Sequence, residues 1–183
     1  MLSLQKATNH GATLIAAGSY EEAIAVLQVA LEPRRFEVVS VASELSNNTV
    51  QLVHLPDAKD PNALAWPVLV LFAFDNIDSA DESLIQAAAL YNLGLAYHRQ
   101  TPQRDQAEEC YQQAYRIVYA AGGSATPLSL AICQNLLHLA IQSHDEEACD
   151  FWSHEFTQHQ VRLPEATKGC SVPFMYTFAA PSA

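Results

Sequence analysis

The sequence predicts an all-α protein built from three antiparallel helical hairpins, and three observations carry that expectation. Apolar residues recur at three- and four-residue spacing through six segments. Short breaks rich in Gly, Pro and Ser join those segments in pairs. Two segments also hold a Gly in mid-helix, Gly11 and Gly94. Each costs about 1 kcal/mol against Ala, which implies that a neighbouring helix comes close there. A single hairpin of this kind cannot bury both of its faces, so the pairs need one another.

Ser3 to Ala17 reads as the first helix, with Leu4, Ala7, Gly11, Leu14 and Ile15 on one face. Gly18-Ser19 breaks it. Ser19-Tyr-Glu-Glu22 reads as a capping box for the second helix, because a Ser hydroxyl can accept from the free amide three residues on while Glu22 reaches back. Tyr20, Ala23, Ile24, Leu27, Ala30 and Leu31 form its apolar side, and Pro33 ends it. Residues 34–78 lose the helical period and read as an insertion carrying short extended pieces or none. Within it, Val50-Gln-Leu-Val-His-Leu alternates weakly, and Trp66-Pro-Val-Leu-Val-Leu-Phe-Ala-Phe74 is an apolar extended run.

A third helix is expected from Ser79, where Ser79-x-x-Glu82 reads as a capping box, to about Gln100. Thr101-Pro102 breaks it. Asp105-x-x-Glu108 reads as the cap of a fourth helix, with Ala107, Cys110, Tyr111, Ala114, Ile117 and Val118 at helical spacing up to Gly122-Gly123. Thr126 then Pro127 is an N-cap followed by a first-position proline for a fifth helix, to about Gln142. Ser143 or Asp145 opens the sixth, which contains Ala148, Phe151, Trp152 and Phe156. The hairpins thus lie at about 3–32, 79–122 and 126–160 in a helical domain over 1–163, with an extended tail at 164–183.

Composition narrows the function classes. Half of the 183 residues are hydrophobic, which suits a globular chain, and the net charge is −11 with nine Lys and Arg in all. Such a chain is poorly suited to neutralising nucleic-acid phosphates or to docking on an anionic membrane. The longest apolar run, Ala63 to Phe74, is interrupted by Pro67 and falls well short of the ~20 residues that span a bilayer. The N-terminus has no basic region followed by a long apolar core, so an intracellular, cytoplasmic setting is expected. Cys110, Cys133, Cys149 and Cys170 are widely spaced and are expected as reduced thiols.

The helical pairs carry a common grammar. Leu90-Tyr-Asn-Leu-Gly-Leu-Ala-Tyr97 with Ala107, Tyr111 and Ala114 is similar to the tetratricopeptide repeat at most of that family's small and large positions. Asn9-His-Gly11, Leu14, Gly18-x-Tyr20, Ala23, Leu27 and Ala30 also resemble it. The third copy is degenerate: Asn135-Leu-Leu137 places Leu where Gly is expected, and Ala148 with Trp152 stands in for the second-helix signature. The family period is about 34 residues, whereas Asn92 to Asn135 is a step of 43, which resembles the longer repeats of the kinesin light chain type. The resemblance covers about two thirds of the chain. It implies a short right-handed superhelix of stacked hairpins and a non-catalytic interaction module or adaptor that holds a peptide segment in its concave groove.

In such a fold Asn9, Asn92 and Asn135 are expected to face the groove, since a side-chain amide offers both donor and acceptor to a passing peptide backbone. On the same face the resemblance places Tyr91, Leu95, His98, Arg99 and His138. Chaperone-binding members of the family clamp a terminal carboxylate pair with Lys and Arg. The corresponding positions here hold Thr8, Ala12, Ala131 and Asn135, with Asn92 alone matching, so no carboxylate clamp is expected.

No cofactor or metal is expected. His138, His144, Cys149 and His154 match no compact ligand spacing, and no Gly-x-Ser-x-Gly elbow or phosphate-cradling Gly loop is present. Carboxylates at Glu21-Glu22, Glu108-Glu109 and Asp145-Glu146-Glu147 sit at helix starts, where they complement the dipole. Two apolar runs, Val68–Phe74 and Val172–Phe178, leave a choice between packing on outer faces and lying in the groove as an intramolecular ligand. The alternative reading is a structural subunit that self-associates through its terminal repeat faces, because array ends need polar caps and the last hairpin carries Phe151, Trp152 and Phe156.

Overall fold

The computed structural model describes residues 3–32, 50–54, 68–72, 82–100, 103–120 and 127–162. These residues form six helices, α1 (Leu4–Ala16), α2 (Tyr20–Leu31), α3 (Glu82–Arg99), α4 (Arg104–Ala120), α5 (Pro127–Ser143) and α6 (Glu146–Arg162). Between α2 and α3 lie two strands, β1 (Val50–His54) and β2 (Val68–Phe72), paired antiparallel with Val50 opposite Phe72 and His54 opposite Val68. The insertion therefore carries extended structure. The expected caps at Ser79 and Thr126, the Gly122-Gly123 stop, Cys170 and the tail at 164–183 lie outside the described residues.

Helix ends follow local chemistry closely. The Ser3 hydroxyl accepts from the Lys6 amide at the start of α1. At its end Gly18 adopts φ +80°, its N–H bonds to the Ile15 carbonyl, and the Ser19 N–H bonds back to Leu14. That is a Schellman closure, in which glycine carries the left-handed residue without steric cost. Ser19 is thereby fixed by the turn before it, and its side chain makes no cap bond to α2, contrary to the capping box expected there. Helix α4 likewise begins one residue before Asp105: the Ala107 amide bonds to the Gln103 carbonyl, so Asp105 sits in the first turn as a dipole complement. Asp145 caps α6 as expected, accepting from the Ala148 amide at 3.0 Å.

Each helix packs on the next, and α1 also reaches α3. The stripes that drive this are Ala7, Ala12 and Ile15 on α1, Ala23, Leu27 and Leu31 on α2, and Ala107, Tyr111, Ala114 and Val118 on α4, all buried. Both mid-helix glycines mark the closest approaches. A Cβ at Gly11 would lie 2.7 Å from Leu27 Cγ, and one at Gly94 would lie 2.8 Å from Tyr111 Cε1. The missing side chains are what let α2 and α4 seat a large residue against α1 and α3.

Helix α3 is the hub. Every residue from Ala87 to Tyr97 is buried, so no side of this stretch faces solvent. Its neighbours are α1, α2 and α4, with β2 alongside α1 and α3 and β1 approaching α5. Helix α6 is the opposite case: only Trp152 and His159 are buried on it, which makes it the outermost element.

Candidate functional site

Four of the expected site residues, Tyr91, His98, Asn135 and His138, converge on the junction of α3, α4 and α5, and Tyr91 and Asn135 are buried within it. Asn135 Nδ2 on α5 donates to Tyr91 Oη on α3 at 3.1 Å, and the Tyr91 ring lies 5.6 Å from the Tyr111 ring of α4. His98 Nδ1 is 3.4 Å from Tyr111 Oη, and the His98 ring stacks on His138 of α5 with centroids 5.3 Å apart. Gln142 Nε2 approaches His138 Nε2 at 3.3 Å, and the Arg104 guanidinium donates to the Leu139 carbonyl. A continuous polar spine thus runs from Asn135 through two phenols and two imidazoles toward the surface.

Burial sets the chemistry of this spine. Desolvation pushes the Tyr91 phenol well above its ordinary pKa, opposed by the Asn135 hydrogen bond. Burial raises Tyr111 as well, reinforced by Tyr91 and Cys110 and opposed by Asn135 and Arg99. Burial and then the charges of His138, Arg99 and Arg104 lower His98 to about 4. Burial, followed by Arg104, lowers His138. At neutral pH the spine is therefore a set of neutral donors and acceptors beside two fixed guanidinium charges. Such a set can orient amides and rings across a helix junction, and it holds no activated nucleophile.

The other expected residues are distributed as follows. Asn92 and Asn9 are buried, on α3 and α1 respectively. Leu95 belongs to a separate apolar cluster with Ala12, Ile15, Ala23 and Ala96 between α1, α2 and α3. Arg99 ends α3 and is half-buried beside His98. The structure thus brings Tyr91, His98, Asn135 and His138 together and places Leu95 elsewhere. Among the described residues no three His, Cys, Asp or Glu side chains gather as a metal would need.

Two participants were hidden in the sequence. Tyr111 reads as a core residue of α4, yet its hydroxyl reaches the surface-proximal His98. Arg104 precedes the Asp105 expected to cap the fourth helix; it is the first residue of α4, and only the fold brings it to Leu139 near the end of α5. A second polar cluster joins α4 to α6: Tyr115 donates to Glu155, its ring meets Trp152 edge-on at 5.1 Å, and His159 packs against it at 6.1 Å. No family model, curated protein or solved structure shows significant similarity to this chain. Among the described residues no helix is long and apolar enough to cross a membrane.

Proposed function

We propose that the chain is a non-catalytic protein-interaction module of tetratricopeptide type, an adaptor that holds an extended segment against the face shared by α1, α3 and α5. The observation that carries this reading is the seat of the strand pair: β2 lies alongside α1 and α3, and β1 reaches α5. Those are the first helices of the three pairs, the ones that line the inner face of a stacked array. A repeated internal geometry supports the same reading. Gly11 seats Leu27 and Gly94 seats Tyr111, so the first two pairs use one small-to-large contact at corresponding positions.

In this reading Tyr91, Asn92, Asn135 and Leu95 stiffen the face from beneath. Arg99, His98 and His138, which are half-buried, stand nearest to a bound chain. Selection of binders from a phage-displayed library of unstructured peptides, mapped by backbone NMR, tests the proposal. Shifts concentrated on α1, α3 and α5 support it; binders that map only to α4 or α6 refute it. The self-association reading is favoured by Phe151 and Val161 on α6, which are 51% and 73% exposed. Sedimentation separates the two: a monomer at tens of micromolar argues for the adaptor, and a concentration-dependent dimer argues for the subunit.

A further inference from the structure

We propose that Val50–His54 and Val68–Phe72 form a displaceable resident ligand, and that the face they cover binds an extended, uncharged, branched-apolar strand from a partner protein. This rests on the reading of the α1/α3/α5 face as a peptide-holding surface and adds what it holds and how access is controlled.

Four features support it. First, a two-stranded ribbon is at best marginal alone in water, so this one draws its stability from the helices beside it. Second, neither strand carries a carboxylate, Lys or Arg, and His54 is their single titratable side chain: β1 reads Val-Gln-Leu-Val-His and β2 reads Val-Leu-Val-Leu-Phe. The face therefore accepts a neutral apolar strand, and a partner strand of that composition satisfies it equally. Third, α2 and α3 pack directly on each other, so the helical stack does not depend on the ribbon for its connection. Fourth, seventeen residues (33–49) precede β1 and nine (73–81) follow β2. Even the shorter connection has a contour of about 30 Å, enough for the ribbon to leave the face while both helices stay in place.

The tether sets the magnitude. A segment held by a short linker acts at an effective concentration of roughly a millimolar. Against an intrinsic dissociation constant on the order of micromolar, the resident weakens an incoming strand by about 100- to 1,000-fold. A partner must then either bind more tightly than the resident or arrive where the ribbon has already been released.

The test uses the full chain and a fluorescent peptide of residues 66–76 with added terminal lysines for solubility. The paired substitution Leu69→Pro with Val70→Pro removes a ladder amide whichever of the two alternating residues faces β1. Wild type should bind the peptide weakly and the variant at least tenfold more tightly. Equal affinities would overturn displaceability and leave the face as a permanent seat. If neither protein binds while circular dichroism shows intact helices, the reading of the face itself falls. A readout on wild type guards against misfolding of the variant: saturating peptide should speed amide exchange at Val50–His54 at least tenfold, and no change refutes displacement. Ribbon exchange between two copies, seen as a dimer by sedimentation, would also overturn it by assigning the face to a second chain.

Discussion

Replacing Gly94 by Ala sets two well-known effects against each other. Helix propensity alone predicts stabilisation by about 1 kcal/mol, because Ala is the better helix former. Packing predicts the reverse. The new Cβ would lie 2.8 and 2.9 Å from Tyr111 Cε1 and Cδ1, and 3.1 Å from Cys110 Cβ. Tyr111 is fully buried, flanked by the Tyr91 ring and by His98, so its ring has nowhere to rotate. The Cys110 Cβ is fixed to the α4 backbone. Relief therefore requires α3 and α4 to move apart by some tenths of an ångström, at a cost of about 1–3 kcal/mol for overpacking a buried site. The overlap with a buried ring offsets the propensity gain, and the expected net loss is up to about 2 kcal/mol. Urea unfolding followed by circular dichroism measures it, and a double variant with Tyr111→Leu should recover part of the loss through a coupling term. A Gly94→Ala protein more stable than wild type would refute the close approach of the two helices.

Other consequences follow from the polar spine and the helix ends. Asn135→Leu leaves the buried Tyr91 hydroxyl without its donor and should cost about 1–3 kcal/mol; adding Tyr91→Phe should restore most of it in a double-variant cycle. His98 has its folded-state pKa depressed to about 4 against 6.5 unfolded, so the unfolded chain binds the extra proton first, and stability is complete above about pH 6.5 and falls on acidification toward pH 4. Between pH 7.5 and 5 this group should account for about 2 kcal/mol of lost stability, read as the difference in urea unfolding between wild type and His98→Gln; identical pH profiles would refute it. His144 closes α5 with φ 56°, a left-handed position that a side chain strains. His144→Gly should therefore raise stability by about 0.5 kcal/mol, net of the extra freedom glycine gives the unfolded chain, measurable as a rise in urea midpoint.

The helices were legible because their information is local. Periodic stripes such as Ala107, Tyr111, Ala114 and Val118 are set by the 3.6-residue repeat, and Gly11 and Gly94 announced close contacts that the geometry shows. Starts were less legible where one residue serves two elements. Ser19 matches a capping pattern, yet its backbone is already committed to closing α1. The site was the least legible part. Spacing places Asn92, Leu95 and Asn135 on faces of their own helices, but which face is covered depends on long-range packing. Here β2 lies alongside α1 and α3 and β1 approaches α5, and pairing between β1 and β2 rests on residues brought together across a thirteen-residue gap. Nothing in either short run taken alone indicates its partner.

Binding of an extended segment on the α1/α3/α5 face requires that the helices hold the ribbon. Amide hydrogen exchange at Val50–His54 and Val68–Phe72 in the full chain measures this directly, compared with a free peptide containing both strands. A tethered ligand at roughly millimolar effective concentration on a micromolar site should slow these amides by about 100- to 1,000-fold. Exchange at the free-peptide rate would contradict the account, because the α1/α3/α5 face would then hold no extended segment.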